Sequence, residues 1–451
     1  MSIPASAPPT NTRWLIFGLA CSVSFLLYLH RYTFGIVKAQ LATEYGWDKT
    51  TLGYFDSAFM ATYSLGQIPG GMLGDWFGPR SVLTLMILFW SAGLAGLAFA
   101  GNFTGMIHSR LLFGLGQAGC YPNLNKITKA WFPPDVRSAV QGWVASFSGR
   151  MGGAASYALF ATLFMAALGF PWRSAVFLFA AVGILVAILF WFLFRDNPSL
   201  HPWANPAEIH LIAHGDEQAS QVIRSRLNWS VALRSFNLWM LLFQQFTCAF
   251  VDNVFSTWIP LYLMEQRGVN ISTAGLMAAM PLIGGALGGM TGGTLQNSLI
   301  RLTGNRRWSR RTVGFVGNLL GTVLMLGVVG VTTEYAIIAT FFFLKFFADW
   351  AQPTTWATAT DIGGSNTASV FASINTAGSF AGVIAGPIMG GIVDYFSNND
   401  PKSPTGWSVL FGTLSAIYLV SALSWLLIDC ERPLEQPPPT SPENPSNAPT
   451  P

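Results

Sequence analysis

The chain has 451 residues, of which 51% are hydrophobic and 10% are charged, and its formal net charge is +4. Soluble domains carry charge at about a quarter of their residues, so this composition excludes an ordinary soluble protein and predicts one embedded in a lipid bilayer. The apolar runs suit helices of about 20 residues and lack strand alternation, which excludes a β-barrel. Basic loops explain the small positive charge without a nucleic-acid partner.

Twelve apolar runs of membrane-spanning length follow one another along the chain. They begin near Trp14, Gly53, Val82, Thr104, Ala139, Ser174, Leu238, Ala274, Val313, Tyr335, Ala368 and Ser408. The longest polar connection, Arg195 to Arg234, lies between the sixth run and the seventh. We therefore predict an all-α membrane protein with twelve transmembrane helices in two pseudo-symmetric six-helix halves.

The predicted boundaries also give the chain an orientation. The halves occupy residues 14–194 and 236–430, and the remaining segments are an N-terminal segment 1–13, a central loop 195–235 and a proline-rich, disordered tail 431–451. With both termini and the central loop in the cytoplasm, fifteen basic residues lie inside and five outside, as the positive-inside rule requires. The five outer residues are Lys38, Lys49, Arg173, Arg267 and Lys402.

A glycine-rich motif follows the second predicted span. It reads Gly71-Met-Leu-Gly-Asp75-Trp-Phe-Gly78-Pro-Arg80, and a weaker copy that ends at Asn297 follows the eighth span. Glycines allow close helix contact, Asp75 can accept hydrogen bonds from a neighbouring helix N-terminus, and Arg80 can bind an opposing carboxylate or carbonyl. We predict that Gly71, Asp75, Gly78 and Arg80 form a latch that stabilises one closed state. The alternative is an ordinary polar turn.

Two arginines, Arg31 and Arg110, lie inside apolar runs, where a charge costs at least about 2.5–3.5 kcal/mol. A helical rise of about 1.5 Å per residue puts both at similar depth in the outer half of the membrane. Two cations at one level repel each other unless an anion joins them, and a planar guanidinium suits a carboxylate or phosphate. We predict an anion site, and the alternative is two separately neutralised structural arginines.

Other charged residues in the predicted spans each have two interpretations. Arg150 either faces a cavity or packs among neighbouring glycines. Asp252 lies nearly level with Arg31, where it either neutralises this arginine permanently or acts as a gate. Lys345 and Asp349 stand four residues apart, a spacing that predicts a pair on one helix face. His30 is either a neutral hydrogen-bonding residue or a proton carrier.

The chain resembles the major facilitator superfamily over everything except the tail. The loop Gly71–Arg80 and the motif Arg110-x-x-x-Gly114-x-Gly116 carry this resemblance. Within the superfamily the chain is most similar to the anion:cation symporters, which include sugar-acid, hexuronate and aromatic-acid permeases and vesicular organic-anion transporters. The residues behind this closer similarity are Phe59-x-x-x-Tyr63-x-x-x-Gln67-x-Pro69-x-Gly71, Tyr121-Pro122-x-x-x-Lys126, Trp131-Phe-Pro-Pro134, Arg195-Asp196-x-Pro198 and Trp258-x-Pro260-x-Tyr262.

The resemblance implies an organic anion as substrate and a proton as the coupled cation. It implies that substrate is bound by Arg31, Arg110, Tyr63, Gln117 and Asn375. The family's acids beside the two arginines are replaced here by His30 and Gln117. The proton carrier is therefore open, with His30, Asp252 and Arg150 as candidates for coupling or gating.

The predicted function is secondary active transport, by alternating access, of a small organic anion such as a sugar acid or another monocarboxylate. Alternatives are an organophosphate/phosphate or organic-anion exchanger without proton coupling, and an anion sensor that does not transport. The sequence contains no metal-ligand spacing, nucleophile–base pair or phosphate-cradling glycine loop, so we predict neither an enzyme nor a metal or cofactor. The expected setting is the bacterial inner membrane, with the protein as a multi-pass monomer.

Overall fold

The protein is described by a computed structural model that covers residues 8–219, 229–331, 333–363, 367–398, 400, 403–432 and 434. The predictions for Arg224, Arg226, Lys402 and the tail from residue 435 lie outside these ranges. Every regular element within the described ranges is helical. We call residues 8–219 the N-terminal portion and residues 229–434 the C-terminal portion.

The helices of the N-terminal portion follow the predicted order. They are α1 Thr12–Tyr45, α2 Lys49–Phe99, α3 Phe103–Ala118, α4 Cys120–Trp131, α5 Pro134–Gly142, α6 Gly149–Tyr157, α7 Trp172–Leu193 and α8 Pro206–Ala219. The π-helical segments Trp143–Ser148 and Ala158–Ala167 flank α6, and a 3₁₀ turn, Pro198–Leu200, follows α7.

The C-terminal portion is built in the same way. Its helices are α9 Trp229–Ala232, α10 Phe236–Asn253, α11 Ile259–Arg267, α12 Ile271–Thr303, α13 Arg306–Gly330, α14 Glu334–Ala348, α15 Ala351–Gly363, α16 Thr367–Phe396 and α17 Thr405–Leu427. A π-helical segment, Val254–Trp258, joins α10 to α11.

Eight helices in the described ranges are long and apolar enough to cross a membrane. The difference from the twelve predicted runs has physical causes. The second and third runs form one 51-residue helix that turns at Gly78, where φ is 77° and ψ is 148°. Three other runs are divided into shorter helices. The fourth run is divided at Gly119, the fifth by π-helical segments and the tenth at Trp350. Each predicted start nevertheless lies within a helix.

The predicted central loop contains a buried contact to the start of the chain. The carboxylate of Glu208 in α8 accepts hydrogen bonds from the backbone amides of Thr12 and Arg13, at 3.2 and 3.0 Å. These amides are the free donors at the N-terminus of α1, where a negative charge is stabilising. The residues that follow α7 therefore hold the first helix in place.

The two portions are joined tightly at one end, which we call the closed end. It is built around Asp394 of α16, whose carboxylate accepts hydrogen bonds from the amides of Lys49 and Thr50 at 3.2 and 2.7 Å. Lys49 also forms an ion pair with Glu265 at 3.2 Å. Asp48 caps α2 from within its own portion by accepting from the amide of Thr51 at 2.7 Å, and Asp394 adds a second acceptor to this N-terminus from the other portion.

Small residues allow α2 and α16 to pack closely beside this cap. A Cβ atom added to Gly53 would lie 2.4 Å from the carbonyl carbon and oxygen of Gly386. One added to Gly390 would lie 2.2 Å from the carbonyl oxygen of Lys49. Only glycine permits such an approach of two helix backbones.

Candidate functional site

A cavity of about 270 Å³ lies between the two portions. Its walls come from α1, α2, α3 and α6 on one side and from α10, α15 and α16 on the other. Residues such as Gln245, Gln352 and Asn375 lie farther from the closed end than Asp56 and Thr257 do, so the cavity extends away from the closed end. Its volume is close to that of small-molecule pockets.

Arg31 is held on the cavity wall by aromatic rings and one amide. Its guanidinium carbon lies 5.0, 5.0 and 4.5 Å from the ring centres of Tyr28, Phe59 and Tyr63. Its Nε donates a hydrogen bond to Oε1 of Gln117 at 3.0 Å. These neutral contacts fix the orientation of the guanidinium and leave its charge in place.

Arg110 shares the Phe59 ring with Arg31. Its guanidinium carbon lies 4.8 Å from the centre of Phe59 and 4.0 Å from that of Phe34. Its Nε donates to the backbone oxygen of Phe55 at 3.2 Å. The two guanidinium groups therefore lie close to one aromatic ring, as the prediction of a similar depth for the two arginines requires.

Neither Arg31 nor Arg110 forms a salt bridge with a carboxylate of the described ranges. The cations around the cavity that do so are Lys38, Arg150 and Lys345. Including these pairs, five cations and three carboxylates line the cavity or contact its walls, an excess of two positive charges. They are Arg31, Lys38, Arg110, Arg150, Lys345, Asp56, Asp252 and Asp349.

The three polar residues predicted to contact an anion have different surroundings. Tyr63 and Asn375 lie on the cavity wall. The amide of Asn375 donates to Oε1 of Gln67 at 2.5 Å, and Gln67 donates to Ser379 at 2.9 Å. Gln117 is fully buried, and its own Nε2 donates to the backbone oxygen of Leu27 at 3.0 Å. The structure thus places Gln117 behind Arg31, as the residue that positions it.

A second charged group joins α10, α14 and α6. Lys345 forms ion pairs with Asp349 at 2.7 Å and with Asp252 at 2.8 Å. Asp349 also pairs with Arg150 at 2.6 Å, across the boundary between the portions. The i,i+4 prediction for Lys345 and Asp349 is confirmed. The expected pairing of Asp252 with Arg31 is wrong, because Lys345 lies nearer to Asp252 and binds its carboxylate.

Arg150 faces the cavity, and its guanidinium also lies beside Gly285 of α12, where an added Cβ would be 2.9 Å from Nη1. Its charge is neutralised by Asp349. It therefore differs from Arg31 and Arg110, which form no ion pair with a carboxylate of the described residues.

His30 does not face the cavity. Its ring is fully buried and stacks on Phe179 of α7, with 6.3 Å between ring centres. A Cβ added to Gly183 would lie 2.7 Å from its Cε1 atom, so the imidazole fills the gap left by that glycine. The neighbouring position in the chain, Arg31, points the other way because successive helix residues are about 100° apart.

Sequence reasoning missed one buried ion pair at the cavity. Lys38, expected in an outer loop, is fully buried in α1, and its Nζ contacts Oδ2 of Asp56 at 2.5 Å. Lys38 lies two turns after Arg31, and Asp56 lies in the second apolar run on the face of Met60, Tyr63 and Gln67. A carboxylate inside an apolar run, on the same helix face as other polar residues, was the sequence signal that could have predicted this ion pair.

The predicted latch residues lie away from this cavity, at the turn of α2 around Gly78, which is more than 20 residues along the helix from the closed end. Asp75 pairs with Lys126 of α4 at 2.7 Å, and Lys126 also donates to the backbone oxygen of Gly71 at 2.5 Å. Asp75 therefore binds a side chain rather than the helix N-terminus we expected. That role falls to Asp196, whose carboxylate accepts from the amide of Arg80 at 2.8 Å.

The remaining parts of the motif act on the same turn. The guanidinium of Arg80 donates to the backbone oxygen of Trp191 at 3.0 Å, so the predicted carbonyl contact is confirmed. A Cβ on Gly78 would lie 2.6 Å from Oδ2 of Asp196. All of these contacts lie within the N-terminal portion.

Comparison with known proteins agrees with the resemblance seen in the sequence. The family model described as Major Facilitator Superfamily matches residues 20–386 and 304–450. The probable sulfoacetate transporter SauU of Cupriavidus necator is 28% identical over 411 residues, which cover 91% of this chain and 94% of that protein. The probable galactarate/D-glucarate transporter GudP of Escherichia coli is 29% identical over 435 residues, again 91% and 94%.

Solved structures agree on the fold. A bacterial homologue of the human lysosomal transporter Spinster, in an inward-facing and occupied conformation, superimposes with a TM-score of 0.76 at 17% identity. The match covers 93% of this chain and 97% of that one. These relatives are transporters rather than enzymes.

Proposed function

Since the chain belongs to the Major Facilitator Superfamily, we propose that it is a secondary transporter that carries a small organic anion across a membrane by alternating access. The observation that carries this proposal is the pair of arginines, Arg31 and Arg110, on one ring in the cavity without carboxylate partners. Relatives named as transporters of sulfoacetate and of galactarate and glucarate support a sugar acid or a similar carboxylate.

The anion meets both guanidinium groups, and the arrangement suits its charge and size. Bringing a carboxylate to Arg31 and Arg110 compensates charge that no described side chain neutralises. Each guanidinium can form two parallel hydrogen bonds with one carboxylate. Tyr63 and Asn375, which line the cavity from opposite portions, offer hydroxyl and amide groups to the hydroxyls of a sugar acid. Gln117 holds Arg31 in place.

The architecture that we propose for this function has twelve transmembrane helices in two six-helix halves, residues 14–194 and 236–430. Segments 1–13, 195–235 and 431–451 lie in the cytoplasm of a bacterial cell, and the protein works as a monomer in the inner membrane. The break at Gly78 supports the division of α2 into two spans, since a 51-residue helix is about twice as long as a bilayer requires.

The transport cycle uses the closed end and the latch in turn. In the structure the portions meet at Asp394, Gly53 and Gly386, while the cavity extends towards the opposite end. Opening the closed end breaks the contacts between α2 and α16, and closing the opposite end brings the Gly71–Arg80 turn towards the C-terminal portion. Uptake is driven by protons that enter with the anion.

Binding and transport are tested with purified protein and a panel that includes D-galactonate, D-glucarate, sulfoacetate and glycerol 3-phosphate. A ligand that binds only the folded state raises thermal stability, and the same compounds are then offered to proteoliposomes with and without a pH gradient. We expect a carboxylate to stabilise the protein and to accumulate when the gradient is present.

The variant Arg110→Lys tests whether the pair of arginines in the cavity binds the anion. Lysine keeps the charge but loses the planar fork, so we expect saturable uptake to be lost while the amount of folded protein stays the same. Arg173→Lys is the control, since Arg173 pairs with Glu44 far from the cavity. Uptake by Arg110→Lys at the control level would contradict the anion site. Exchange of glycerol 3-phosphate for phosphate, unaffected by a proton uncoupler, would identify an exchanger, and binding without flux would identify a sensor.

A further inference from the structure

We propose that Asp56, paired with Lys38, is the carboxylate that accepts and releases the coupled proton in this protein. The inference rests on the proposed function, which leaves the proton carrier open. His30 faces away from the cavity and Gln117 has no titratable group. Asp56 lies on the cavity wall and is 4% exposed.

The position of Asp56 relates its charge to the conformation of the protein. Its Oδ2 accepts hydrogen bonds from Lys38 at 2.5 Å and from the hydroxyl of Thr257 at 3.1 Å. Lys38 belongs to the N-terminal portion and Thr257 to the C-terminal portion. The other oxygen, Oδ1, is buried and has no hydrogen-bond partner within the described ranges. Opening the closed end therefore removes Thr257 and exposes the carboxylate to the solvent on that side.

The charged and titratable groups that face Asp56 come from three elements. Lys38 in α1 binds it directly. Arg110 in α3 and Tyr157 in α6 interact with it electrostatically. On the remaining side, in α16, its neighbour is Gly386, which carries no charge. Lys38 itself stacks on the ring of Trp258, 3.9 Å from the ring centre.

This arrangement makes proton binding and anion binding favour each other. When Asp56 gains a proton on oxygen, Lys38 loses its counter-charge and the positive excess of the cavity rises from two to three. An incoming anion lowers that excess, so each ligand strengthens the binding of the other by the same factor. On release of the anion the proton leaves Asp56, and the Lys38–Asp56 ion pair forms again. No other group gains or loses charge.

Two variants separate the coupling role from anion binding. Asp56→Asn removes the proton site but leaves Lys38 without a partner. The double variant Lys38→Met with Asp56→Asn removes both charges and keeps the excess of two, so folding and anion binding are protected. Asp429→Asn is the matched control, because Asp429 is also a buried carboxylate in an ion pair, with Arg307 at 3.2 Å, but lies outside the cavity and the closed end.

The transport assay uses proteoliposomes with D-galactonate or D-glucarate. We expect the double variant to lose accumulation driven by a pH gradient and to retain counterflow, while Asp429→Asn keeps accumulation above the equilibrium level. Accumulation by the double variant as high as in the unmodified protein would overturn the proposal. Loss of counterflow together with accumulation would also overturn it, since Asp56 would then serve binding or folding.

A second measurement does not require transport. Infrared difference spectra of the purified protein, taken between acidic and alkaline buffer, report the carbonyl stretch of a protonated carboxyl group. We expect one such band to be absent in both Asp56 variants and present in Asp429→Asn, and an unchanged spectrum would refute the proposal. If the unmodified protein carries none of the compounds in the panel, the proposed function fails, while the infrared result still decides whether Asp56 binds a proton.

Discussion

The close contact between Gly53 and Gly386 determines the free energy of the conformation in which the closed end is shut. In a Gly53→Ala variant the added methyl group would lie 2.4 Å from the carbonyl carbon and oxygen of Gly386 and 2.6 Å from the nitrogen of Pro387. Carbon atoms prefer a separation of about 3.5–4.0 Å, so α2 and α16 must part by about 1 Å. Overpacking of this kind costs about 1–3 kcal/mol, and the cost arises only when this end is closed.

The expected result is a shift of the population away from the closed end by about 5- to 150-fold. The native thiol of Cys248 lines the cavity and provides the probe. The other cysteines, Cys21, Cys120 and Cys430, are first replaced by serine. A membrane-impermeant maleimide is then applied to each face of proteoliposomes in turn, and labelling from the face of Lys49 and Asp394 should be faster in Gly53→Ala.

The control is Gly412→Ala, because a Cβ at Gly412 in α17 would meet no atom within 4 Å. It should label at the rate of the unmodified background. Equal labelling rates in Gly53→Ala and Gly412→Ala, on the face of Lys49, would refute the argument that the glycine contact sets the conformational balance.

Two further substitutions test the positions that hold Arg31 and the turn at Gly78. In Gln117→Glu the new carboxylate would lie beside Nε of Arg31, now 3.0 Å from the amide oxygen. A charge-assisted bond there is worth about 1.5–3 kcal/mol, so anion affinity should fall roughly tenfold or more. The measurement is calorimetric titration with Gln40→Glu as control, because Gln40 lies outside the cavity, and unchanged affinity of Gln117→Glu at alkaline pH would contradict the role of Arg31. Gly78→Ala should lower the thermal unfolding temperature, since strain of about 1–3 kcal/mol adds to the contact with Asp196. Gly46 has a similar φ of 64° but a ψ of 23°, and it lies in open space, so Gly46→Ala should cost less. A loss in Gly78→Ala no larger than in Gly46→Ala would contradict both the backbone strain and the contact with Asp196.

Helices and single-helix contacts were the most predictable part of this protein. Each apolar run lies in a helix because its backbone polar groups must be satisfied internally in lipid. The Lys345–Asp349 pair follows from the period of one helix. The common level of Arg31 and Arg110 follows from counting residues along two helices of known direction.

Contacts between helices that are distant in the chain were not predictable in the same way. The partner of Asp252 is Lys345 because α10 and α14 meet at a rotation that residue counting does not supply. Lys38 was assigned to a loop because a span of about 20 residues from Trp14 ends before it. The helix in fact continues to Tyr45. Lys38 therefore lies within it, two turns beyond Arg31, where its side chain pairs with Asp56.

The chain of ion pairs from Asp252 through Lys345 and Asp349 to Arg150 has a consequence for how the sequence can change over time. Removing one buried partner leaves an uncompensated charge, which costs several kcal/mol, whereas replacing both members of a pair with apolar residues is often neutral. Substitutions at these four positions should therefore be tolerated in pairs and rejected singly. In a random mutagenesis library, surviving clones would carry correlated changes there, and their statistics would report the energetic coupling between the two portions.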